Sequence, residues 1–137
     1  MKKRILIVED DIALKPFWEH VLFRHYLNFQ IDWCIDCESA VDAYLSSQAS
    51  SFSYDLIVLD LFLSGSDTGL DFVSFLDCQF EKCPILLTSS VDQNRLMPIA
   101  KHQNLKIEVL TKPLNIHRLD NLICFRKYPI LEAHHEK

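Results

Sequence analysis

Short apolar runs, most of them unbroken, punctuate this chain, and each one stops on polar residues. Ile5-Leu6-Ile7-Val8 runs into Glu9-Asp10-Asp11, and Leu56-Ile57-Val58-Leu59 into Asp60. Pro84-Ile85-Leu86-Leu87 runs into Thr88-Ser89-Ser90, and the last strand, Ile107 to Leu110, which Glu108 interrupts, meets Thr111-Lys112-Pro113. Runs this short suit strands rather than buried helices, and their lack of alternation predicts cover on both faces. A fifth run differs. Ile31, Trp33 and Ile35 alternate with Asp32 and Cys34, the period of two expected of a half-covered edge strand.

Between these runs the apolar spacing changes to that of helices. Leu14, Phe17, Trp18, Val21 and Leu22 form an amphipathic stripe. Pro16 must lie in its first turn, so the helix starts no earlier than about Ile12. Ala40, Val41, Tyr44 and Leu45 predict a second helix, followed by a serine-rich connector over 46–53. Phe72, Val73, Leu76 and Phe80 predict a third. A polar segment from about Gln93 to His102 reads as a fourth, with Asp92 as its cap and Pro98 kinking or splitting it. Ile116, Leu119, Leu122 and Ile123 build the last, and Tyr128-Pro129 ends regular structure. Five strands alternating with five helical segments in 137 residues predict a single α/β domain. It is a (βα)5 unit, a doubly wound parallel sheet with helices on both faces. In such sheets the functional crevice lies beyond the carboxyl ends of the strands, where the polar residues of this chain gather.

Composition narrows the chemistry. The chain has two glycines, Gly65 and Gly69, both in one short stretch. Glycine-rich phosphate cradles need several positions without Cβ, so a phosphate must be handled another way. A net charge of −5 opposes nonspecific nucleic-acid binding. The start lacks the apolar stretch of a signal peptide and no run is long enough to span a bilayer, which predicts a cytoplasmic protein. Cys34, Cys37, Cys78, Cys83 and Cys124 are expected to be buried or half-buried free thiols. Cys34-x-x-Cys37 lacks a second matching pair for zinc, and His134-His135 reads as part of a solvated terminus.

The strand-end residues form a coherent set: Glu9, Asp10 and Asp60, then Thr88 and Ser89, then Lys112. Carboxylates brought together in a crevice either hold raised pKa values or bind a hard cation, and all-oxygen ligation with room for water suits Mg²⁺. A carboxylate between such a cation and a lysine is placed to attack phosphorus. Asp60 fits that position, with Lys112 as the ammonium and Thr88 as the hydroxyl. Asp11 reads as the cap of the first helix.

In that order the stretches Ile5 to Asp11, Asp55 to Asp60, Pro84 to Ser89 and Thr111-Lys112-Pro113 resemble the receiver domain of two-component response regulators, CheY-like single-domain regulators included. The resemblance runs from Lys3 to about Lys127. It implies a flavodoxin-like fold of strand order 2-1-3-4-5, a receiver over 1–127 and a short tail over 128–137 with no output domain. It also implies that Asp60 accepts a phosphoryl group from a sensor histidine kinase or histidine phosphotransfer protein, in a reaction dependent on Mg²⁺ or Mn²⁺. Asp10 and Asp60 would hold the metal directly, Glu9 mostly through water, and Phe62 through its backbone carbonyl. Thr88 would be the switch hydroxyl, Ser89 the small residue leaving the phosphoryl site open, and Lys112 the phosphate partner, before a cis Pro113. Such a protein is a signalling domain rather than an enzyme, catalysing only its own phosphotransfer and dephosphorylation. Its output would be altered binding of a downstream protein or relay of the phosphoryl group, without direct contact with nucleic acid or membrane.

The sequence also departs from that pattern. The family usually has Pro four residues and Gly eight residues after the phosphoacceptor, where this chain has Ser64 and Thr68, with Gly69 one later. The loop after Asp60 is therefore expected to be one residue longer, turning at Gly65. An aromatic residue often precedes the lysine by three; here it is Val109. Val109 and Pro98 together argue against the usual switch on the face made by the fourth and fifth helices and the fifth strand. They leave open a constitutive interaction module. A Mg²⁺-dependent nuclease or phosphatase is opposed by the negative charge, and a flavin-binding relative by the acidic first loop.

Overall fold

The computed structural model describes residues 2–61, 69–90 and 105–124. It contains β1 (Lys3–Val8), α1 (Lys15–Phe23), β2 (Phe29–Cys34), α2 (Cys37–Ala49), β3 (Leu56–Asp60), α3 (Gly69–Cys78), β4 (Pro84–Ser89), β5 (Lys106–Thr111) and α4 (Ile116–Cys124). All strand pairings are parallel, in the order β2-β1-β3-β4-β5. The expected sheet is therefore present, with the alternating run of Phe29–Cys34 at one edge. The predicted polar helix with Asp92 and Pro98, the turn at Gly65, the Phe62 carbonyl and the tail over 128–137 lie outside the described residues.

Strand alternation divides the core into two layers. Leu6, Val8, Ile57, Leu59, Ile85, Leu87 and Val109 pack beneath α2 and α3, where Phe72 and Leu76 are fully buried. Ile5, Ile7, Val58, Leu86 and Leu110 pack beneath α1 and α4, against Trp18, Val21, Leu22 and Leu119. Burial of each such large side chain contributes about 2–3 kcal/mol.

The helix ends show how local chemistry sets the boundaries. Asp11 accepts from the Ala13 amide and caps a single 3-10 turn at Ile12–Leu14, after which Pro16 sits in the first turn of α1. α2 begins at Asp36, whose side chain accepts from the Ser39 amide and hydroxyl, and this carboxylate is held below its ordinary range by those bonds. The expected serine-rich connector is shorter than predicted, because α2 continues through Ser46 and Ser47 to Ala49. Ser47 satisfies its hydroxyl by donating to the Tyr44 carbonyl, so serine here does not break the helix. Leu45 faces solvent rather than the core.

Phe80 also corrects the periodicity reading. α3 ends at Cys78, and Phe80 lies beyond it with φ 55° and is 65% exposed. The Glu81 amide returns to the Leu76 carbonyl, closing the helix end. Glycine normally takes this left-handed position, and a glycine-poor chain fills it with phenylalanine. Of the thiols, Cys34, Cys37 and Cys83 are buried and form no disulfide among the described residues, whereas Cys78 is exposed.

Candidate functional site

Four strand-end residues owe their convergence to the pleat. Ile7, Val58, Leu86 and Leu110 all face the α1/α4 layer, and Glu9, Asp60, Thr88 and Lys112 each come two residues later. The period of two therefore carries the same sheet face past the hydrophobic core into the crevice. Register completes the alignment, with Asp60 directly beside Thr88 on neighbouring strands. Glu9, Asp60, Thr88 and Ser89 are all buried.

Carboxylate oxygens of Glu9, Asp10 and Asp60 lie within 4.8 Å of one another. Among the described residues this is the group of acidic, histidine or cysteine side chains arranged to share a cation. Lys112 Nζ donates to Glu9 Oε1 at 2.8 Å and reaches Asp60 Oδ2 at 3.4 Å. The second Glu9 oxygen accepts from the Asp11 amide at 3.1 Å, which holds the carboxylate across the end of β1. Burial pushes the Glu9 carboxyl above its ordinary range, and the negative charge of Asp60 adds to this against the pull of Lys112 and the Asp11 amide. Burial opposes the charge on Lys112, but its hydrogen bond to Glu9 and the charge of Asp60 outweigh that, so its pKa is raised.

The backbone frames the crevice. Leu61 donates to the Thr88 carbonyl, and Lys112 to the Ser89 carbonyl at 2.6 Å. The Lys112–Pro113 bond is cis, as expected. Ser89 pairs with Thr111 and is fully buried. Val109 is buried in the α2/α3 layer.

Gly69 opens α3 where the chain returns to the end of β3, and its amide donates to the Leu61 carbonyl at 2.8 Å. A Cβ there would lie 2.4 Å from the Asp60 backbone oxygen. The second glycine is thus a packing requirement at the candidate nucleophile, a role that its place in a loop did not disclose. Sequence reading also missed the union of His25, Arg24 and Asp120 across the α1/α4 seam, since neither spacing nor residue type announces it.

The donor set fits a hard divalent cation: three carboxylates, all oxygen and partly buried, with Lys112 as the ammonium beside them among the described residues. A phosphoryl group brought to the same place would meet that cation, the Lys112 ammonium and the Thr88 hydroxyl beside Asp60.

No protein-family profile matches the chain, and no curated protein matches it. Solved structures do. A two-component response regulator from Cytophaga hutchinsonii superposes with a TM-score of 0.75 at 17% identity, covering 93% of this chain and 96% of that one. The beryllofluoride-activated receiver domain of Klebsiella pneumoniae RstA gives 0.71 at 21% identity, covering 95% and 99%. The Mn²⁺-bound form of response regulator Rcp1 gives 0.66 at 22% identity, covering 96% of each. With the same strand order and near-complete coverage, the fold of this chain is that of CheY-like response regulator receiver domains.

Proposed function

We propose that this chain is a phosphorylation switch whose acceptor is Asp60. The observation that carries the reading is the placement of Asp60 within 4.8 Å of the Glu9 and Asp10 carboxylates and 3.4 Å from Lys112 Nζ, beside Thr88 in the sheet. The donor is a phosphohistidine on a histidine kinase or phosphotransfer protein. An Asp60 oxygen attacks phosphorus, the P–N bond breaks, and the imidazole nitrogen keeps the bonding electron pair and takes up a proton. Lys112 turns its ammonium from Glu9 towards the phosphoryl oxygens, and Thr88 donates its hydroxyl to one of them. Ser89 adds little bulk at the mouth. Asp10 and Asp60 would hold Mg²⁺ or Mn²⁺, with Glu9 supporting it through water and Phe62 through its carbonyl. That ion, when bound, supplies positive charge against the oxygens of the transferring group. The Mn²⁺-bound neighbour of the same fold supports this assignment.

Signalling follows from a changed surface or from relay of the phosphoryl group to a second histidine protein. Val109, already buried, offers no aromatic ring to report movement of Thr88, so the output rests on backbone and helix rearrangement. Incubation with acetyl phosphate and Mg²⁺ tests the reading. Intact-mass measurement is expected to show the gain of one phosphoryl group, mapped to Asp60 and lost in Asp60→Asn. No adduct at Asp60 would overturn it and favour a constitutive interaction module.

A further inference from the structure

Among the described residues, three large apolar side chains sit on or beside α1 with most of their surface in solvent: Ile12 at 64% exposed, Phe23 at 70% and Leu27 at 81%. Phe23 is held edge-on to Phe29 of the edge strand at 5.2 Å, so it is a fixed part of the surface. Lys15 and Glu19 line, with Phe23 and Leu27, a groove of about 430 Å³ between α1 and β2, and Ile12 stands one turn before Lys15. Both are exposed, and neither has an ion-pair partner among the described residues.

Position along the helix gives this surface a symmetry. Ile12, Lys15, Glu19 and Phe23 follow one another at spacings of three, four and four, a single stripe roughly 16 Å long. Read in order it is apolar, positive, negative, apolar. Turned end over end about a point near residue 17, the stripe meets its own complement. Ile12 then falls opposite Phe23 of the other copy, and Lys15 opposite Glu19, twice over. An isologous interface needs such self-complementarity, and a stripe of one sign or with its apolar residues at one end would lack it.

We infer that this face of α1 is a homodimer contact in which two copies pack α1 antiparallel. Two Lys15–Glu19 pairs lie at its centre, with Ile12 against Phe23 at each end and Leu27 at its margin. The inference rests on the surface of α1 and not on the chemistry of Asp60, so the two stand or fall separately.

Sedimentation equilibrium of the full chain, without phosphodonor, tests it. Wild type is expected to show a reversible monomer–dimer equilibrium. Lys15→Glu and Glu19→Lys should each weaken the dimer roughly tenfold, because each turns two attractive pairs repulsive. An equimolar mixture of the two variants should recover the dimer, since one then carries two acids where the other carries two lysines. Circular dichroism and the Asp60 adduct, unchanged in both variants, establish that they fold. Three results would each overturn the inference: a wild type that stays monomeric to about 500 μM, a dimer indifferent to either reversal, or single variants that fail to associate when mixed.

Discussion

Two charge clusters in this molecule have similar parts and opposite character. At the carboxyl end of the sheet, Lys112 bridges Glu9 at 2.8 Å and Asp60 at 3.4 Å, with Asp10 alongside. On the α1/α4 seam, Asp120 meets Arg24 Nη2 at 2.7 Å and His25 Nε2 at 2.7 Å. Burial works against the charged carboxylate in both places. In the first it prevails, and Glu9 is pushed above its ordinary range. In the second the hydrogen bonds from Arg24 and His25 outweigh it, and Asp120 is held below its ordinary range. The difference lies in stoichiometry. Among the described residues three carboxylates face one ammonium at the sheet end, whereas one carboxylate faces a guanidinium and an imidazole at the seam. The seam is a closed clamp between two helices, whereas at the sheet end the described carboxylates outnumber the described ammonium, an arrangement that suits a further cation.

Substitutions separate the two. The largest effect is on function: Asp60→Asn should abolish the phosphoryl adduct in intact-mass measurements, while Asp120→Asn should leave adduct yield within about twofold. A fold that supports phosphorylation equally without Asp60 would erase the distinction. Next is Gly69→Ala, which forces a methyl against the Asp60 carbonyl at 2.4 Å and should cost about 2–3 kcal/mol in urea unfolding, with slower phosphorylation as well. Asp120→Ala leaves buried His25 without its carboxylate and should cost about 2 kcal/mol. In the absence of divalent cation, Asp60→Asn should be neutral or slightly stabilising by the same measurement, because it relieves carboxylate repulsion.

Divalent cation should act on one cluster alone. At ten times its dissociation constant Mg²⁺ should add about 1.4 kcal/mol, a rise in Tm of roughly 3–6 °C, and Asp10→Asn should lose that rise while Asp120→Asn keeps it. The smallest effect is in the pH dependence of metal-free stability. The contribution of Asp120 is present above its unfolded pKa, near 4, and is lost as pH falls through its lowered folded value. Glu9 behaves oppositely: its contribution is present below its unfolded pKa and is lost as pH rises through the raised folded value. The stability of Asp120→Asn relative to wild type should therefore rise on acidification, and that of Glu9→Gln should rise towards neutral pH. Parallel slopes would show that the clusters do not differ in this way.

Much of this was legible in residue order. Apolar runs of four with polar ends located the strands of the sheet centre, and the alternation around Trp33 located the edge. Asp11 and Pro16 marked the entry to α1 because capping and a missing amide act within one turn. Errors arose where a local pattern had two solutions. Phe80 has helical spacing from Leu76, yet the chain needs a left-handed residue there and solvent took the ring. Ser46 and Ser47 looked like a connector, yet their polar side chains are compatible with the last turns of α2.

The convergence of the strand-end residues, by contrast, was legible in one dimension, since strand alternation is a rule of period two that needs no knowledge of neighbours. Sequence alone determined which side chains stand at the strand ends, which face each one prolongs and what charge they carry together. Tertiary structure decided the rest. It set Lys112 closer to Glu9 than to Asp60, pressed Gly69 onto the carbonyl of Asp60 and joined Asp120 to His25 across 95 positions. Those outcomes depend on distances between elements remote in the chain, and on how burial and hydrogen bonding balance at each carboxylate, neither of which is encoded in local spacing.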